Sequence, residues 1–303
     1  MEREADRLGF ALMAPGGFAP QGFVTMFDKL QQANRLNDNG NWPYLRSHPL
    51  TTARIADMQA RLPTQTRASE PSPTLEHALL AARARVLARP GVDVLRQWSA
   101  LPHSSGFAAQ PLHQRVAAWY AAALAHMQLR DGPAVQRALQ ALQTTLQQEG
   151  RSDAAALRQV RLLAAQWALQ AEQPAQALQQ LDAASRGRPE LLLRSQALLR
   201  LGQAAQASGP LELWLSQHPQ DASAWQLLAQ AWQQQGQVLR SVRAEAEARA
   251  AHYDWAAAID RLRAGQALAR SQPHVAQDHI EASIIDTRLR VFESRFREQA
   301  AQR

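Results

Sequence analysis

Trp225-Gln226-Leu227-Leu228-Ala229-Gln230-Ala231-Trp232-Gln233-Gln234-Gln235-Gly236 carries the fold. Leu228, Ala229 and Trp232 recur at the spacing of one helix face, and Gly236 supplies a stop. Further on, Tyr253, Trp255, Ala258 and Leu262 repeat the pattern and are expected on the second helix of a further pair. Upstream, Ala165, Ala177, Leu181, Ala184 and Pro189 fall where a helix–turn–helix unit of about 34 residues places small crossing residues, a large apolar residue and a closing proline. Trp119, Ala123 and Met127 with Ala134, Ala138 and Leu142 suggest an earlier, degenerate unit, and Pro189 and Pro219 punctuate successive units. Alanines at the crossings let two helices approach closely, and no helix buries its stripe alone, so the units must stack. The spacing predicts an all-α chain, with an antiparallel array of helix pairs over residues 74–300 and tetratricopeptide-like repeats over 74–270. Residues 271–303 are expected to form a terminal helix. Its Ile284, Ile285, Leu289, Val291, Phe292 and Phe296 would cap the last apolar face.

Composition sets the outer limits. The chain has 303 residues, 46% of them hydrophobic, enough for two domains and a substantial core. It lacks an apolar run of about 20 residues, so no membrane span is expected. It has 0 cysteines, which excludes disulfides and thiolate ligands. The formal charge of +7 raises nucleic acid as a partner. The arginines are dispersed among glutamates and glutamines, and Lys29 is the only lysine, so a solvated basic exterior is the better reading and no nucleic acid is expected. Residues 63–73 hold three prolines and almost no apolar side chains, the composition of a linker. Residues 1–62 are expected to form a separate helical unit with helices at 2–12, 20–36 and 50–62.

Two segments of that first unit carry candidate chemistry. In Glu2-Arg3-Glu4-Ala5-Asp6 the two outer acids are four apart and share a helix face. One could ligate a metal while the other hydrogen-bonds a ligating histidine, or both could simply favour the helix dipole. The second segment is Ser47-His48-Pro49-Leu50-Thr51-Thr52-Ala53-Arg54-Ile55. Between them lie an apolar stretch, Met26-Phe27-Asp28-Lys29-Leu30, and a polar loop, Asn37-Asp38-Asn39-Gly40-Asn41-Trp42-Pro43, of the kind that shields a cleft.

In that order the two segments resemble the M48 family of zinc metallopeptidases, in its periplasmic branch that serves outer-membrane quality control. The resemblance covers residues 2–62 closely, and a repeat array behind the protease domain agrees with that branch in kind. It implies a zincin-type domain of which residues 1–62 are the carboxy-terminal helices. It further implies Zn²⁺ ligation by Glu2, conditional ligation by His48, an outer role for Asp6, and oxyanion stabilisation by Arg54. Implied partners are protein clients and outer-membrane assembly components, held by the repeats in the periplasm. The family's other two ligands and its general base stand in a His-Glu-x-x-His helix that should precede this segment. None of His77, His103, His113, His126, His218, His252, His274 and His279 stands in that motif. The chain is therefore expected to represent a metallopeptidase from partway through its active site, with weak or absent zinc binding and no cleavage of its own. Phe10, Phe23 and Phe27 would be partly exposed where the missing helix docks. The competing reading is a non-catalytic helical-repeat adaptor whose first 62 residues are a vestigial cap.

Overall fold

The computed structural model describes residues 2–34, 52–62, 73–88, 90–148, 153–271 and 278–301. They are all-α, with no strand among the described residues. The chain divides into two compact units, Met1–Pro73 and Thr74–Arg303. The expected linker, except Pro73, lies outside the described residues, as do His48 and the polar loop around Gly40.

The first unit holds α1 (Glu2–Met13), α2 (Gln21–Asn34) and α3 (Thr52–Ala60). Its small core is Val24, Phe27, Ile55 and Met58, with Phe10, Phe23 and Leu62 packed against it. Phe10 and Phe23 meet edge to face, as do Phe23 and Phe27. The expectation of an exposed Phe27 fails: it is 5% exposed, because α3 supplies the surface that covers it. Phe10 and Phe23 are half-buried, and the more exposed apolar residues among those described in this unit are Leu8, Leu12, Phe18, Met26 and Leu30.

The second unit runs from α4 (Leu75–Leu87) and α5 (Val92–Ala100) through α6 (Leu112–Leu129), α7 (Gly132–Gln148), α8 (Ala154–Gln170) and α9 (Pro174–Gln180). It continues with α10 (Arg188–Arg200), α11 (Ala204–Gln217), α12 (Ala222–Gln234) and α13 (Val238–Ala250), and closes with α14 (Trp255–Ser271) and α15 (His279–Ala301). From α5 onward consecutive helices pack on one another, α4 packs on α6, and α8, α10 and α12 also touch in sequence. The alanine crossings are real contacts: Ala165, Ala177, Ala197, Ala224, Ala231, Ala244, Ala246 and Ala258 are fully buried. Leu228, Ala229 and Trp232 share one buried cluster, and Ala123, Met127, Ala138 and Leu142 another.

Several positions differ from the sequence reading. Ala184 is exposed in a turn, because α9 stops at Gln180 and the Asp182 carboxylate accepts the Ala184 backbone N–H. Pro189 opens α10 in its first turn, where a missing N–H costs nothing. Tyr253 sits in a left-handed turn and is 61% exposed. On α15, Ile285, Leu289 and Phe292 point inward, whereas Ile284, Val291 and Phe296 do not. Pro210 lies inside α11. Local propensity argues against it, but Ala204, Ala207, Leu211 and Leu215 bury one face and hold the helix through it.

Two sets of bonds lace the successive helices. At the carboxy-terminal ends of α6, α8, α10 and α12 a side chain donates to a last-turn carbonyl of the helix two before it. Gln128 reaches Val86 O, Gln170 reaches Met127 O, Arg200 reaches Leu169 O, and Gln234 reaches Leu199 O. Charge pairs link the amino-terminal ends. Arg158 on α8 makes a two-pronged bond to Glu190 on α10, at 2.6 and 2.9 Å. Arg188 on α10 does the same to Asp221, the residue that caps α12, at 2.6 and 2.8 Å. Because like ends meet like ends, α8, α10 and α12 run parallel as one row. Gly187 leaves room for the first pair: a Cβ there would stand 2.6 Å from Glu190 Oε2 and 2.8 Å from Arg158 Nη2, so the two side-chain ends would have to shift. Burial pushes the Glu190 carboxyl up, yet the Arg158 bonds and charge outweigh it and hold it below its ordinary value.

Candidate functional site

The amino-terminal unit brings together Glu2, Asp6 and Arg54. α1 presents both acids on one face, and α3 brings Arg54 against them. Arg54 Nε and Nη2 donate to Asp6 Oδ2 and Oδ1, each at 2.7 Å. Nη1 lies 3.0 Å from Glu2 Oε2. The guanidinium also stands over the Phe27 ring, 5.3 Å from its centroid. Arg54 and Asp6 are buried, and Glu2 is half-buried. The Asp6 hydrogen bonds, opposed by burial and assisted by the charges of Asp6 and Glu2, raise the Arg54 pKa above its ordinary value.

This geometry is an ion-pair brace between α1 and α3. The acids lie in direct contact with Arg54. Zinc needs three protein donors with room for a substrate or water. Among the described residues no group of three or more His, Cys, Asp or Glu side chains is placed to hold a metal ion. Asp6 gives both oxygens to Arg54, and His48, the remaining donor implied by the resemblance, lies outside the described residues. The described donor set therefore does not fit a zinc centre, and no catalytic step follows from it. Adding zinc or a chelator such as phenanthroline is expected to move the thermal midpoint by less than about 1 °C and to leave casein uncut. A zinc-induced rise of several degrees would show that donors outside the described residues complete a site.

The second unit offers a different kind of surface. Between α10 and α12 lies a cleft of 510 Å³ whose lining includes Arg200, Gln226, Gln230 and Gln234 with Leu199 and Leu227. Gln226 and Gln230 are exposed, whereas Leu199 and Leu227 are nearly buried. Amide side chains carry both donors and acceptors, so the cleft can pair with either kind of backbone group. Next to it, at the amino-terminal end of the row, Trp214 stacks on His218 with ring centroids 3.9 Å apart. Trp214 Nε1 donates to Asp221 at 2.9 Å. The sequence reading did not single out these glutamines. Their signal was the recurrence of Gln at exposed positions of a helix whose other face is apolar.

No helix among the described residues is long and apolar enough to cross a membrane. No protein-family model matches the chain, and no curated protein is similar to it. Together with the absence of a donor cluster among the described residues and the lack of cysteine, this overturns the expectation of a zinc metallopeptidase, protease or hydrolase for this chain.

Proposed function

We propose that the chain is a non-catalytic helical-repeat adaptor that holds partner proteins in the cleft between α10 and α12. The observation that carries this reading is the parallel row α8, α10 and α12, with a polar, amide-lined cleft over a fixed apolar base. Stacked helix pairs with alanine crossings support a tetratricopeptide-like array, whose repeated helices present a continuous binding surface. The amino-terminal unit is a separate helical unit braced by Arg54, Asp6 and Glu2, and its segments resemble those of M48 enzymes. The partners and place implied by that resemblance, misfolded clients and outer-membrane assembly components in the periplasm, belong to the same proposal.

A photo-crosslinking amino acid at Gln230 tests it, with the same group at Leu213 on α11, which is 66% exposed, as the comparison. Discrete protein adducts are expected at position 230 and not at 213. Gln226→Glu with Gln230→Glu should reduce those adducts at least about fivefold while leaving helicity unchanged. Equal labelling at both positions, or none at 230, would remove the cleft as the binding surface.

A further inference from the structure

The terminal helix α15 has two apolar faces. Ile285, Leu289 and Phe292 make the first, buried against α13 and α14 with Ala246, Ala250, Ile259 and Leu262. The second is made by Ile280, Ile284 and Val291, which are 78%, 37% and 40% exposed. Exposed Thr287 falls between them. At 100° per residue these four side chains lie within a sector of about 60°. Their spacing is four, three and four, the period of a coiled-coil seam rather than of a free helix.

The charges beside this stripe are sorted, with the exception of Glu298, which stands in line with the stripe seven residues beyond Val291 and pairs with Arg295. The acids of α15 nearest the array are turned into it. Glu281 meets Arg243 and Arg240, Asp286 accepts from Gln266, and Glu293 pairs with Arg263. The arginines flank the stripe instead: Arg288 and Arg295 on one side, Arg290 and Arg297 on the other. Arg288 is held by Glu247 at 2.5 and 2.6 Å, and Arg295 by Glu298 at 3.0 Å. Arg290 and Arg297 are exposed and make no ion pair among the described residues. In the heptad frame set by the stripe, these arginines take the flanking positions that select a partner helix by charge.

We propose that the outer face of α15 is a docking seam for an amphipathic helix of a partner protein that carries acidic residues on both sides of its apolar stripe. A second copy of this chain fits poorly, because its own arginines would meet these. A membrane surface fits poorly as well. Interfacial helices present a wide apolar face rich in Trp, Phe and Leu, and this stripe is narrow and made of Ile, Thr and Val. The seam shares no residue with the cleft between α10 and α12, so the two readings fail separately.

The test uses the full chain and two labelled synthetic four-heptad helices. Both carry Ile and Leu at the seam positions; one has Glu at both flanks and the other Lys. Fluorescence anisotropy at low salt should show the Glu helix binding at least about 30-fold more tightly than the Lys helix, with the difference shrinking at high salt. Ile284→Asp, at an exposed site, should weaken that binding about tenfold or more with the thermal midpoint unchanged. Arg290→Glu with Arg297→Glu should reduce or reverse the preference between the two helices. Equal affinity for both helices, or binding indifferent to Ile284→Asp, would overturn the proposal. So would an Ile284-dependent dimer in sedimentation, or Ile284-dependent binding to phosphatidylglycerol vesicles without discrimination between the helices.

Discussion

Arg54→Ala should unfold the amino-terminal unit while residues 74–303 keep their helicity and cooperative melting. Asp6 is 5% exposed and gives both carboxylate oxygens to Arg54. Removing the guanidinium leaves a buried carboxylate without its cation, a loss of about 3–5 kcal/mol in comparable pairs. The same substitution strips the cation from the Phe27 face. Among its described residues the core of this unit has four buried apolar side chains, and so small a core holds only a few kcal/mol in reserve. Hydrogen exchange would report it directly: amides of α1 to α3 should lose protection and those of α12 should not. Full protection in both units would show that the brace contributes little. Replacing the pair together, Asp6→Leu with Arg54→Met, should recover much of the loss, because no orphan charge then remains.

Asp221→Ala should destabilise the array by about 3–4 kcal/mol, the second large effect. One carboxylate does three jobs. It caps α12 by accepting the Ala224 N–H at 3.2 Å, takes the Trp214 indole N–H, and receives both prongs of Arg188. A lost cap alone costs about 1 kcal/mol, and charge-assisted bonds add about 1.5–3 kcal/mol. The Arg188 bonds, opposed by burial and joined by those from Trp214 and Ala224, hold its pKa down to about 2 against an ordinary 3.8. The folded value lies below the unfolded one, so the stabilisation is complete above pH 3.8 and is lost as pH falls through 2. That window corresponds to about 2 kcal/mol. Urea unfolding of the wild type and of Asp221→Asn at neutral pH and near pH 2 measures it. The two proteins should differ at neutral pH and converge in acid.

What could be read from the sequence follows from range. The periodicity of Leu228, Ala229 and Trp232 is local, and a helix with that face buried is nearly forced by it. Which polar groups find each other is not local. Arg54 and Asp6 are 48 residues apart, and an acid four residues from another acid suits a metal, a helix dipole or an arginine equally well. Only the packing of α3 against α1 selects among them. Phe27 was misjudged for the same reason, since the helix that covers it contributes nothing to its own local pattern. Ile285 and Ile284 are neighbours in sequence, yet one is buried and the other faces outward. An apolar count could not separate them; the angle at which α15 meets α13 and α14 does.

The row α8, α10 and α12 is bound differently along its two edges. The carboxy-terminal edge is fastened by side chains donating to backbone carbonyls, Arg200 to Leu169 and Gln234 to Leu199, and the amino-terminal edge by arginine–carboxylate pairs. Ionic strength and acid act on the second kind and hardly touch the first. The array therefore has a spine and a fore-edge, like a bound book: when conditions loosen it, the helices fan from one side and pivot on the other. A partner that pries the cleft open would meet stiffness at one margin and compliance at the opposite one.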